Sequence, residues 1–394
     1  MTTEATTVGG AQLPGWPLSS AEQAHLTSSV AVPPTMRAVV YPEPNRFEVR
    51  DDVPVPPLGP GEALVRVMST TICATDQKIL SGQFPGTRFP HIPGHEFAGE
   101  VAAVGPAVDE VQPGDRVGVE VHVGCGRCPR CLEGFYQLCE NYGRPEKGHA
   151  HIGFTVPGGL AEYALVPIKA LHPLPAELTW DQGAFTDNIG IALYAVERGQ
   201  LRPGESVVVV GPGAFGALAI QVARAMGAGR VIMLGTRPER LARMAGLGAD
   251  ALIAARGKEA VEQVKDSLGG KGADVVVEFA GTADAARQAI QLARRGGRVV
   301  LAGATGPGRE LSGVDLSTIV RGHLDIYGSL ANPKGVSRRG LELIARGAVD
   351  VSPLITHHFA LADFAAAWDT FVQRRDGAIR VMLHPYTGMA ATPR

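Results

Sequence analysis

A chain of 394 residues, 45% hydrophobic and 19% charged, can bury a large core and is longer than one core usually grows, so two domains are expected. A formal net charge of −2 supplies no basic field for nucleic acid or anionic lipid, and no apolar run reaches the about 18 residues of a membrane helix. Both partner classes are set aside.

Residues 1–35 carry neither a basic n-region nor an apolar h-region, which argues against a secretory signal. Their Thr, Ala, Ser and Pro content reads as a disordered extension, and the folded body starts at the β-like run MRAVVY from Met36. From 36 to about 175, short β-branched runs broken by Gly and Pro predict strands at 62–70, 97–105, 115–121 and 160–167 in a mostly antiparallel, barrel-like unit.

Inside that unit, Cys125, Cys128, Cys131 and Cys139 give the spacing C-x2-C-x2-C-x7-C, four of the chain's five cysteines. A disulfide framework would spread its cysteines along the chain. Clustering without a signal peptide points instead to metal in a reducing, cytoplasmic setting. Four thiolates can close a tetrahedral shell around Zn²⁺ with no open position, a structural site, although ligand chemistry alone also admits an iron–sulfur cluster. A nucleic-acid zinc ribbon lacks the basic surface it needs.

From about 190 the texture changes to apolar strands alternating with helices: SVVVVG (206–211), a helix at 214–227, VIMLG (231–235), a helix near 238–246, DVVVEFAG (274–281) and VVLAG (299–303). That alternation predicts right-handed βαβ units and a parallel, doubly wound sheet. Gly211-Pro-Gly213-Ala-Phe215-Gly216 follows a strand and opens a helix, the context that turns a weak G-x-G-x-x-G match into a Rossmann dinucleotide loop. Gly303, closing the fourth of these apolar runs, is a further cofactor candidate. An NAD site usually places an acid at the end of the second strand. Here stand Gly235, Thr236 and Arg237, which suit a 2′-phosphate and favour NADP over NAD. Glu239 as a ribose ligand and a merely solvated Arg237 are the competing readings. The stretch 328–385, with a helical GVSRRGLELIARG and β-like ITHHFAL and AIRVMLHP, reads as the chain returning to the first domain.

Cys73, His95, Glu96 and Asp187 each have an ordinary explanation when taken singly: a buried small hydrophobe, a core histidine, a salt-bridge partner. Their occurrence beside a cysteine lobe and a nucleotide loop favours a mixed S/N/O shell for a Lewis-acid zinc. The motifs Cys73-Ala-Thr75-Asp76, Gly94-His95-Glu96-Phe97-Ala98-Gly99-Glu100-Val101 and Pro113-Gly114-Asp115-Arg116-Val117 complete the set. From about 36 to 385 the sequence resembles the zinc-containing medium-chain dehydrogenase/reductase family, nearest its polyol and threonine dehydrogenase branch.

The resemblance implies an α/β fold, with a Rossmann sheet at 187–327 and a GroES-like catalytic domain at 36–186 completed by 328–385. It implies Cys73, His95 and Asp187 as catalytic zinc ligands, Glu96 as an acid able to swing onto the metal, and Thr75 as the hydroxyl that passes the substrate proton. Two departures stand out: the relay histidine is Lys78, and the usual Pro after the acidic ligand is Asn188. The implied activity is hydride transfer between a secondary alcohol and NAD(P) in a homodimer or homotetramer. A zinc-free quinone-type reductase and a non-catalytic nucleotide sensor are the rivals. His149, His151, His357 and His358 read as loop or strand histidines rather than ligands, with a substrate contact open to the first two. His323 either contacts substrate or finishes a helix.

Overall fold

The structure is a computed structural model describing residues 31–303 and 309–386. The extension expected at 1–35 lies outside the described residues apart from its last five.

Six parallel strands form one sheet in the order Ala251–Ala254, Arg230–Gly235, Ser206–Val210, Ala273–Glu278, Ala293–Leu301, Asp325–Gly328. Numbered along the chain this is 3-2-1-4-5-6, the order that opens a crevice where the strand sequence reverses. Its strands are Val-rich because both faces are covered. Val207, Val209, Met233 and Val275 face a core shared with the helix Ala214–Ala225. Val208, Val210, Ile232 and Val276 face the opposite core with the helices Gly257–Ser267 and Ala283–Leu292. A period of two thus distributes one strand's side chains between two helical layers. Each fully buried Val contributes about 1.5–3 kcal/mol.

The second sheet has seven strands, running Ile355–Ala360, Arg380–His384, Glu62–Thr71, Phe97–Val104, Arg116–Val119, Leu171–Pro173, with Tyr163–Pro167 also paired to Glu62–Thr71. All pairs are antiparallel except Ile355–Ala360 with Arg380–His384. Of the returning segment, these last two strands join the β-rich half. The helix Val336–Ala345 instead packs on the helix Thr186–Arg198 in the parallel sheet's core.

Three local expectations need correction. The strand Glu48–Pro54 was not anticipated, because Arg50, Asp51 and Asp52 expose a charged run that hides its pairing with Thr35–Val40. The helix expected near 238–246 stops at Ala242, ahead of the left-handed Gly246 and Gly248. The helix expected at 214–227 ends at Ala225, two residues before left-handed Gly227.

Candidate catalytic metal and dinucleotide site

The strand Glu62–Thr71 ends at a buried turn, and Cys73 caps the following helix, Ala74–Leu80. Asp76, in that helix's first turn and fully buried, accepts the Cys73 N–H at 2.8 Å, and its other oxygen lies 3.3 Å from His95 Nδ1. One carboxylate therefore fixes both the thiol's backbone and the imidazole's orientation. Its signal was available in the sequence as an acid at the third helical position.

Cys73, His95 and Glu96 come together, one donor atom of each lying within 4.8 Å of the others, and all three are buried. Burial alone would lower the His95 pKa, but Asp76 and Cys73 beside it hold it well above its ordinary value. Glu96 is clamped on both oxygens, by Asn188 Nδ2 at 2.6 Å and by Arg380 Nη1 at 2.7 Å. Asn188, where the sequence departs from the family pattern, thus acts on the neighbouring acid.

Asp187, in the first turn of the helix Thr186–Arg198, stands outside the three-residue set, although His95 and Glu96 are among its charged neighbours. Its Oδ1 is buried without a hydrogen-bond partner. Burial first, then Glu96 and Glu120, push its pKa up to about 7, against the pull of His95. A thiol, an imidazole and two carboxyls out of water, one with an orphaned oxygen, form a donor set that a divalent cation would satisfy.

The four cysteines fit a metal more tightly still. All four are unbridged thiols, buried, with sulfurs within 4.8 Å of one another. Burial raises the Cys125 thiol's pKa, but backbone N–H groups and Asn141 Nδ2, 3.3 Å from the sulfur, outweigh it and bring it to about 6. Cys131, where burial dominates, goes up to about 12. Gly124 has no room for a side chain: a Cβ there would sit 2.5 Å from Cys131 Sγ.

The glycine loop behaves as its spacing predicts. Gly211 is left-handed at φ +109°, and a Cβ on Gly216 would lie 2.1 Å from the Gly211 carbonyl oxygen. A Cβ on Gly213 would meet nothing within 4 Å, leaving its backbone open to a ligand. Gly235 holds a further answer. A Cβ there would lie 2.6 Å from Pro212 Cγ, so this strand end has no space for an acid. Thr236, Arg237, Arg240, Arg256 and Arg374 line the adjoining cavity of about 670 Å³. A Cβ on Gly303 would come 2.3 Å from the Gly281 nitrogen, so that glycine serves close backbone packing.

The two halves of the site meet in one cavity of about 580 Å³, whose wall includes Cys73, Gly213, Phe215, Arg237 and Arg380. Arg380, buried, pairs with Glu96 and stands 5.6 Å from the centre of the Phe215 ring. Sequence reasoning missed Arg380, since nothing in AIRVMLHP marks one strand arginine as buried.

The alcohol dehydrogenase GroES-like domain family matches residues 59–176, and the zinc-binding dehydrogenase family matches 214–346. Sorbitol dehydrogenase of Bacillus subtilis is 31% identical over 90% of this chain and 98% of its own. The chain belongs to the zinc-type alcohol dehydrogenases. L-threonine 3-dehydrogenase of Symbiobacterium thermophilum is 33% identical over 88% of this chain and 97% of its own. A Sinorhizobium meliloti protein solved with NADP bound superposes with a TM-score of 0.80 at 33% identity, covering 89% of this chain and 99% of that one. The molecule is a zinc- and NAD(P)-dependent alcohol oxidoreductase of the polyol and threonine dehydrogenase branch. Among the described residues no helix is long and apolar enough to cross a membrane.

Other expected positions fall less centrally. Thr75 is half-buried with its hydroxyl 3.8 Å from Cys73 Sγ, and neither Thr75 nor Lys78 lines the shared cavity. His149 and His151 are buried outside any metal-type cluster of the described residues. His323 finishes the helix Leu316–Gly322 in a left-handed conformation.

Proposed function

We propose that the enzyme oxidises a secondary alcohol bearing a neighbouring polar group (a polyol, diol, amino alcohol or cyclitol) to its ketone, reducing NADP and releasing one proton. What supports this reading is a cavity walled by both Cys73, one donor of the buried Cys73, His95 and Glu96 group, and the glycine loop. Cys73, His95 and Asp187 would hold the catalytic zinc, Glu96 its alternate ligand, and the four cysteines a structural zinc. Bound there, zinc supplies Lewis acidity that eases loss of the alcohol proton, and the nicotinamide supplies the hydride acceptor.

The protein's own part is orientation and proton handling. Asp76 holds His95, Arg380 and Asn188 hold Glu96, and the Thr75 hydroxyl takes the substrate's proton outward. Lys78 stands one helical turn beyond Thr75 on the same face of Ala74–Leu80 and is the next group on that route. Gly211, Gly213, Phe215 and Gly216 cradle the pyrophosphate side. The sealed Gly235 position and the neighbouring Thr236, Arg237, Arg240 and Arg374 support a 2′-phosphate and hence NADP.

We assign 36–186 with the two strands of 355–385 to the catalytic half and 187–327 to the cofactor half, the helix Val336–Ala345 within the expected 328–385 return siding with the cofactor half's core. The strand Asp325–Gly328, paired on one side alone among the described residues, and the exposed Leu316, Val320 and Leu330 support a homodimer or homotetramer. Five free cysteines support a cytoplasmic setting.

The test is an absorbance screen of secondary alcohols against NADP and NAD, with zinc measured on the dialysed enzyme. About two ions per chain and a higher kcat/KM with NADP are expected. Absence of zinc, or of cofactor reduction across the panel, sinks the reading. NADP preference fails if NAD is the more efficient and Arg237→Asp leaves the NADP rate unaltered.

A further inference from the structure

Away from the catalytic cavity, a third group of donors converges where the last two strands meet the helix Trp180–Gly183. His358 Nδ1 and His384 Nε2 lie 3.1 Å apart, with their rings stacked at an interplanar angle of 16°. The same two nitrogens lie 3.6 and 3.7 Å from the two oxygens of Asp181. Donors bound to one ion at about 2.0–2.2 Å stand about 3–4 Å apart, so these spacings are those of a shared cation.

Strand register brings the imidazoles together. His358 pairs with Met382 on the adjacent parallel strand, so His384 is its diagonal neighbour two residues on. Asp181 is only 3% exposed. Ser69 Oγ donates to it at 2.5 Å, and among the described residues no Lys or Arg pairs with it. A buried carboxylate without a cation is costly. Two facing ring nitrogens cannot both carry protons at this distance, whereas both can aim lone pairs at a metal. The half-exposed His358 leaves the group open on its solvent side.

The geometry points to a third metal site, formed by Asp181, His358 and His384, that takes a divalent transition ion of the zinc class. Two imidazoles and one carboxylate select such ions over Mg²⁺ or Ca²⁺, which prefer all-oxygen shells. An ion here ties both C-terminal strands to the helix preceding Thr186–Arg198, and so stabilises the fold without entering the reaction.

The test titrates the dialysed, tag-free holoenzyme with Zn²⁺ and separately with Ni²⁺, following uptake per chain and melting temperature. Wild type is expected to take up one further ion and to melt higher. His358→Ala and His384→Ala should lose both effects while keeping wild-type kcat and KM, which also shows that they fold. His357→Ala, one residue away, should keep the uptake. The proposal is overturned if wild type binds no further ion, if the ion survives in both His358 and His384 variants, or if Mg²⁺ competes equally. In those cases the cluster is a proton-sharing imidazole–carboxylate group.

Discussion

The four-cysteine lobe gathers its donors from fifteen residues, 125–139, whereas Cys73, His95, Glu96 and Asp187 come from three separate stretches of the chain. The lobe's polar support is local: Asn141 and nearby backbone N–H groups point at its sulfurs. The catalytic group leans on distant residues, Arg380 being 284 positions from Glu96 and Asn188 92. On the proposed reading, a local cage draws its stability chiefly from its metal, so metal there should register as stability. A cage assembled by two finished cores should register metal as activity.

Exchanging one ligand in each centre tests this contrast most severely. Cys73→Ala should lower kcat/KM by about 10³-fold or more with little change in melting temperature. Cys128→Ala should lose an ion and the melting transition of the catalytic half, while molecules that stay folded keep their turnover. The comparison breaks if Cys73→Ala unfolds the chain as readily as Cys128→Ala, read by thermal melts beside initial rates.

The same contrast explains what could be read in advance. The lobe and the glycine loop were legible because their chemistry is carried by spacing within one turn-rich segment. Both sheets were legible from periodicity, since alternation and Val-rich runs report burial directly. Asp187 is proposed only through resemblance, since an isolated acid in a helix's first turn has many ordinary uses, and it stands outside the Cys73, His95 and Glu96 set. Arg380 and the clamp role of Asn188 were not legible, because their meaning depends on which residues tertiary packing brings opposite Glu96. His358 reads as an ordinary strand histidine for the same reason: its companions sit on another strand and on a helix.

Arg380 offers the next test. Arg380→Met leaves Glu96 buried with its main counter-charge gone, and breaking such a pair costs about 3–5 kcal/mol. Urea denaturation should show that loss, and adding Glu96→Gln should restore part of it. An unchanged midpoint in the single variant would mean that the catalytic group is as self-supporting as the lobe. Asn188→Ala should cost less, about 1–2 kcal/mol. By freeing one oxygen of Glu96 it should speed zinc release from the catalytic position alone, followed with a chromogenic chelator. Equal acceleration at both positions would contradict the separation of the two centres.

The smallest expected effect concerns the aromatic column that joins them. The His95 ring lies 4.6 Å from Phe154, Phe154 stacks on His151 at 3.6 Å, and His151 in turn stacks on His122 at 3.9 Å. Tyr142, whose hydroxyl is 2.5 Å from His151 Nδ1, follows Asn141, the residue that bonds Cys125. Burial pushes His122 down to about 3 and His149 to about 4, and holds His151 well below its usual value. Folded pKa values below those of the unfolded chain mean that the unfolded chain binds more protons through this window. The column's contribution to stability should therefore be complete above about pH 6.5 and fall as the pH drops toward 4, each of its histidines adding at most about 1.4 kcal/mol per pH unit. Replacing His122 by Gln should flatten that slope by about one such increment in the zinc-saturated enzyme, measured by denaturation at a series of pH values. A slope that stays unchanged in this variant but disappears in Cys128→Ala would assign acid sensitivity to the lobe, and the column would then carry packing alone between the two centres.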